Sequence, residues 1–204
     1  MGLMSLGAFE EAHTFLERSV RLYDALGIFE HTANIFLGGA KVHLGQYKQG
    51  RDVAQRGFER ARACEDRPAT GYALLVLGWV ALVRGESDAA HSFFQQSITI
   101  CQSIAQQDMA SWGTAFLAYA TRALDQLAPA QRSLYDALRI ATQIQSFVAQ
   151  MFALPGVALL LGDLGHHVRA IELYALLTRY PMVSNSQWFA DVVGRPIAAM
   201  AAAI

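Results

Sequence analysis

The chain has 204 residues, of which 53% are hydrophobic and 16% charged, with a formal net charge of −1. Disordered chains are poor in apolar residues, so this composition excludes one. The near-neutral charge removes the electrostatic drive toward nucleic acid or an anionic membrane surface.

No basic start followed by an apolar run opens the sequence, and Leu6 stands where an N-myristoylation signal needs Ser or Thr. A cytoplasmic location is therefore expected. Cys64 and Cys101 are too few for a disulfide framework, and their apolar helical positions suggest small, reduced core residues.

In chain order, residues 1–27 read as a single amphipathic helix, with Glu10 and Glu11 at its favourable, positive dipole end. An apolar helix over 30–44 follows, then a turn at Gly45 and a more polar helix. The stretch from Tyr72 to Val83 is twelve residues without a charge, too short to cross a bilayer, which needs about 20. Arg84, Gly85, Glu86 and Asp88 end it. Beyond them Ala90, Phe93, Phe94, Ile98 and Cys101 recur at helical spacing. A helix apolar on every side needs neighbours on every side, and the flanking segments supply them. Apolar helices are likewise predicted over 68–84, 108–124 and 147–163. The last contains Pro155, which removes one backbone donor and clashes with the preceding turn. A helix beginning only at Pro155 would leave "FVAQMFAL" as an exposed apolar loop, so a kinked, continuous helix is expected. Pro181 ends the following helix, and Ser184 or Ser186 can cap a final helix over 184–204 that covers the last apolar face.

These elements repeat. Small residues fall in register at Ala12, Gly50, Ala90, Ala130 and Ala170, separated by 38, 40, 40 and 40 residues. Five positions before each stands a turn residue: Gly7, Gly45, Gly85, Asp125 or Gly165. Strand-like alternation with hairpin turns is absent. A small residue lets paired helices approach closely, while a lone hairpin leaves an apolar face exposed, so successive hairpins must stack. The predicted fold is all-α: a right-handed α-α superhelix of about five hairpins forming one domain. Its units are a lone second helix at 1–27, hairpins over 28–66, 67–106, 107–146 and 147–180, and the capping helix. On this reading residues 1–27 lack their first helix, as in a segment cut from a longer array.

The rhythm resembles the tetratricopeptide repeat (TPR). "LGW" at 77–79 with Ala90, Phe94 and Ser97 matches that family's signature best; Gly38, Gly50 and Gly57, and Ala118, Ala130, Leu134 and Ala137, match it in part. The period is 40 rather than about 34, which implies longer helices, and the proline that usually closes the second helix is missing. Long repeats of this kind, and the tail "LYALLTRYPMVSNSQWFADVVGRPIAAMAAAI", are similar to the sensor domains of large bacterial regulators: the maltose-regulon activator and related signalling ATPases. The resemblance implies a binding module for proteins or effectors within a larger transcriptional regulator.

Signatures of chemistry are weak throughout. His166 and His167 are adjacent, so their side chains diverge on a helix and do not share a metal in the i, i+4 manner. "LLGDLGHH" lacks the Lys-Ser/Thr of a phosphate loop, and no nucleophile set has a local signature. No enzyme, cofactor, metal, membrane contact or direct nucleic-acid contact is expected. The candidate site is the groove lined by the first helix of each hairpin, with Tyr72, Leu75, Trp79, Trp112, Tyr119, Arg122 and Phe152 as its binding residues. Thr32, Ile35, Gly39, Val42, Leu82, Ala115, Leu159 and Asp163 extend the lining. It suits a hydrophobic peptide, a partner helix or a small apolar effector. The Lys/Asn clamp for a C-terminal carboxylate has no counterpart, because Ile35, Gly39, Leu75 and Trp79 occupy its places. Tight curvature would instead bury the same aromatics as core. The alternatives are a self-associating scaffold module that forms a homo-oligomer, or a receptor for a peptide pheromone.

Overall fold

The computed structural model describes residues 2–204; Met1, the first residue of the 1–27 segment, lies outside them. The described residues are helical with no strand. Four hairpins stack in chain order: α3 (His31–His43) with α4 (Tyr47–Ala63), α5 (Arg67–Val83) with α6 (Ser87–Ser103), α7 (Gln107–Ala123) with α8 (Leu127–Gln143), and α9 (Phe147–Asp163) with α10 (His167–Leu177). Ahead of them lie a four-residue helix α1 (Gly2–Ser5) and α2 (Phe9–Ala25). Helix α1 stands before α2 across the turn at Gly7, so 1–27 is more than the lone helix expected.

The period has a simple origin. Helices α5 to α8 each have 17 residues, and three-residue turns join them. Each turn closes its helix with two crossed hydrogen bonds, as at Gln46 N–H to Lys41 C=O (2.8 Å) and Gly45 N–H to Val42 C=O (3.1 Å), the Schellman pattern. Its middle residue takes positive φ: Gly45, Gly85, Asp125 and Gly165 within hairpins, and Glu65, Ala105 and Gln145 between them. Turns therefore fall where the repeat predicts.

Within hairpins, the small registered residues Ala12, Gly50, Ala90, Ala130 and Ala170 are all buried. Gly78 shows why small size matters there: a Cβ on it would lie 2.4 Å from the Phe94 ring. Polar side chains staple the same layers from either side. Ser97 of α6 donates to the Gly71 carbonyl of α5 (2.8 Å), and Ser111 of α7 donates to the Ala137 carbonyl of α8 (3.1 Å). Helix α9 runs unbroken through Pro155, as expected. The Tyr119 hydroxyl donates to the nearby Phe152 carbonyl (2.9 Å), beside the ladder position that the proline leaves without a donor.

One expectation needs correction and a second needs extending. Cys64 is exposed at the end of α4, whereas Cys101 is buried, because Cys64 falls at the helix C-cap and beyond the last packed turn. The C-terminal segment carries the expected final helix, helical without a break from Gln187 to Ala202, capped by Ser186 and packed on α9 and α10, but with a π turn inside it and contacts beyond the last hairpin. It comprises α11 (Pro181–Ser184), α12 (Gln187–Phe189), a π turn (Ala190–Gly194) and α13 (Arg195–Ala202). Helix α13 packs on α9 and α10, but α12 reaches back to α3 and the π turn to α5. The segment crosses the concave side of the superhelix and meets the N-terminal turn. There a Cβ on Gly7 (φ +74°) would lie 2.4 Å from the backbone of Pro181 and Met182, and the Asn185 amide donates to the Gly7 carbonyl (3.1 Å).

Candidate binding channel

The first helices α3, α5, α7 and α9 line the concave side, and their aromatic side chains face one another across it. Trp79 meets Phe116 edge to face at 5.2 Å, Trp112 meets Phe152 at 5.5 Å, and Tyr72 meets Trp79 at 6.1 Å. Such geometry adds to the large apolar burial each ring contributes. Of the residues singled out in the sequence, Tyr72, Leu75, Trp79, Trp112, Tyr119 and Phe152 are all buried. Arg122 is partly exposed and forms a two-point ion pair with Asp163 on α9, at 2.5 and 2.7 Å. The rings are thus packed into the core, as tight curvature predicts, and the concave side is a narrow channel rather than an open platform.

At one end of this channel the C-terminal segment packs into the concave side, beside a cavity of about 250 Å³ lined by Leu82, Tyr119, Arg122, Leu159, Asp191 and Arg195. Trp188 inserts from the C-terminal segment, donates its indole N–H to the Trp79 carbonyl (2.9 Å), and packs edge to face on Phe116 at 5.4 Å and Tyr119 at 5.7 Å. Ser186 caps α12 by accepting from Phe189 N–H (3.2 Å), and its hydroxyl also bonds His43 Nδ1 (2.8 Å). The His43 ring stacks on Phe9 at 4.2 Å. Burial pushes its pKa down to about 3, so the ring is neutral. The Tyr47 hydroxyl donates to Asp191, whose other oxygen accepts from Gln187 (2.8 Å). Burial, and next the Asp191 bond, push the Tyr47 pKa up.

The opposite end is open. A cavity of about 290 Å³, near the lower end of the range for ligand pockets, opens between the N-terminal ends of α3, α5 and α7. Ile35, Phe36, Tyr72, Met109 and Trp112 form its apolar wall, and Thr32, Asp66, Gln106 and Asp108 form its polar rim. Asp66 accepts from the Ala69 N–H that begins α5 (3.0 Å) and pairs with His31 Nε2 (2.9 Å). The His31 contact, with the Ala69 bond second, holds its carboxyl below the usual range. Deeper along the channel a chamber of about 20 Å³ is lined by His43, Trp79 and Phe152, and it shares Phe36, Tyr72 and Trp112 with the outer cavity.

Of the expected groove set, Tyr72 and Trp112 reach the outer cavity, Tyr119 and Arg122 line the cavity beside the C-terminal segment, and Leu75 lines neither. Phe36, Asp66, Asp108, Met109 and His43 were missed. Asp66 carried a readable signal, an acidic cap one residue before "RP"; His43 carried none, because its partner Ser186 lies 143 positions away.

Residues 30–103 match the tetratricopeptide repeat family model. This match and the all-helical stacked hairpins together support a TPR-like helical repeat domain. No curated protein matches it significantly. TPR repeats generally mediate protein–protein interaction, and helical repeat folds of this type are generally non-catalytic. Among the described residues no helix is long and apolar enough to cross a membrane.

Proposed function

We propose that this TPR-like domain is a recognition module that takes a protein segment or a small apolar effector at the open mouth of its concave channel. It would do so within a larger cytoplasmic regulator of the kind its long repeats and tail resemble. The observation that carries this reading is the asymmetry of the channel: Trp188 and charged residues line the end where the C-terminal segment packs, while the cavity at the other end has an apolar wall. The walls come from three consecutive hairpins, so occupancy and superhelical curvature are coupled: a ligand bridging α3, α5 and α7 favours one spacing of those helices.

The test is a screen of displayed peptides and small apolar molecules against the wild type, at low and high salt. Hits are repeated on Thr32→Arg, at the mouth, and on Tyr135→Ala, on the exposed face of α8. Mouth ligands should lose roughly tenfold or more in affinity with Thr32→Arg, keep it with Tyr135→Ala, and vary little with salt. Hits indifferent to Thr32→Arg, or steeply weakened by salt, would reject the reading.

A second reading, self-association, rests on a different observation. Phe15, Leu22 and Leu26 are exposed along α2, and a cavity of about 350 Å³ opens beside Leu3, Phe15 and Leu16. Contiguous apolar surface of this kind marks an interface. Light scattering should then show a dimer that Phe15→Glu with Leu22→Glu converts to monomer; a monomeric wild type at all concentrations excludes it.

A further inference from the structure

Among the described residues, two hydrogen-bond donors in the channel have no acceptor. The indole Nε1 atoms of Trp79 and Trp112 are both buried and unpartnered, although Trp188, packed in the same aromatic cluster, has its N–H satisfied. Buried polar groups of native proteins are nearly all paired, and each exception calls for an explanation. Here the two exceptions share one place: both rings line the inner chamber. Its volume of about 20 Å³ has room for one water-sized group. The outer cavity, which Trp112 also lines, has room for the body of a small molecule.

The chemistry of the walls narrows what that molecule is. The described lining of both cavities holds no Lys or Arg, and His43 is neutral. An anionic head would sit in the chamber without a countercharge, which is costly, and would first pass Asp66 and Asp108 at the rim. A purely apolar molecule would leave both indole N–H groups unpaired.

We infer that the channel binds a small, neutral, largely apolar molecule carrying a carbonyl oxygen, and that this oxygen enters the inner chamber and accepts from the indole N–H groups of Trp79 and Trp112. The apolar body lies in the outer cavity against Ile35, Phe36 and Met109. This deepens the reading of the channel mouth as the recognition site and rests on it.

Three probes of nearly one shape separate the possibilities: acetophenone, isopropylbenzene, which lacks the oxygen, and benzoate, which carries a charge. The readout is the set of three indole N–H resonances in protein labelled with ¹⁵N-tryptophan, assigned with single Trp→Phe variants. Acetophenone should shift the Trp79 and Trp112 N–H protons downfield saturably and leave Trp188 nearly in place. Isopropylbenzene should shift neither N–H downfield, and benzoate should bind roughly tenfold or more weakly than acetophenone. In Trp112→Phe, which keeps the aromatic wall, affinity for acetophenone relative to isopropylbenzene should fall about five- to tenfold, the worth of one neutral hydrogen bond. The inference is overturned if acetophenone shifts neither indole or only one, or if isopropylbenzene shifts both downfield. Benzoate binding as well as acetophenone, or an unchanged affinity ratio in Trp112→Phe, overturns it equally. The wild-type spectra decide the matter even if the variant folds poorly. A mouth ligand of other chemistry that Thr32→Arg abolishes would leave the proposed function standing while this inference fails.

Discussion

Ala90 and Ala89 are neighbours in α6 with opposite fates. Ala90 is fully buried at the registered position where α5 and α6 approach, while Ala89 is only partly covered. Ala90→Leu should destabilise by about 1–3 kcal/mol through overpacking, and Ala89→Leu should be much milder, as urea denaturation of the two variants will show. His43 offers a test with pH as the variable. Its pKa of about 3 lies below the ordinary 6.5 because burial penalises the charged ring. Between those values the unfolded chain binds the proton and the folded chain does not, so stability falls as pH is lowered through that window. Relative to neutral pH, His43 should cost the fold about 2 kcal/mol at pH 5. His43→Phe should remove that part of the pH dependence, measured as the difference between wild-type and variant unfolding free energies at the two pH values.

At the scale of elements, the two classes of turn differ in their chemistry though not in their geometry. Turns within hairpins use Gly at the positive-φ position except at Asp125, whereas those after α4, α6 and α8 use Glu65, Ala105 and Gln145 with φ of 57°, 56° and 53°. A non-glycine residue in that region is strained by its Cβ. Ala105→Gly should therefore stabilise by about 1 kcal/mol, while Ala89→Gly, within a helix, should cost about 1 kcal/mol; thermal unfolding of the pair checks both signs. Helix positions and turn positions were legible in the sequence because the period-setting signals are local: a small residue, an apolar face and a turn residue recur within each 40-residue unit. The internal pieces of the C-terminal segment were not. Ser186 was readable as the cap of the final helix, but no local signal marked the π turn inside it at Ala190–Gly194, where Val193 is buried.

For the whole molecule, the C-terminal segment changes the thermodynamics expected of a repeat array. In an open solenoid each repeat contacts only its neighbours, so stability is close to a sum of nearest-neighbour terms. Here Trp188 touches α5 and α7, Ser186 touches α3, and Asn185 reaches Gly7. First and last repeats are tied through the concave side. Trp188→Ala, which empties a fully buried site, should cost about 3–5 kcal/mol and also loosen cooperativity. The expected signature is a smaller denaturant m-value and faster hydrogen exchange in α2 and α3 than in α7. An unchanged m-value with uniform exchange would show that the hairpins are coupled well enough without Trp188.

The local sequence determined the helical class, the 40-residue unit, the turn positions and which helix of each hairpin faces inward, because each depends on residues close in the chain. It also named the aromatics of the inner face, Tyr72, Trp79, Trp112, Tyr119 and Phe152. Only the tertiary structure decided that those rings are buried as core along a narrow channel. Curvature is the product of small rotations between repeats and is written at no single residue, and the seating of the C-terminal segment depends on a contact between Trp188 and Trp79, 109 positions apart. Which indole donors are left without an acceptor is likewise decided only in three dimensions.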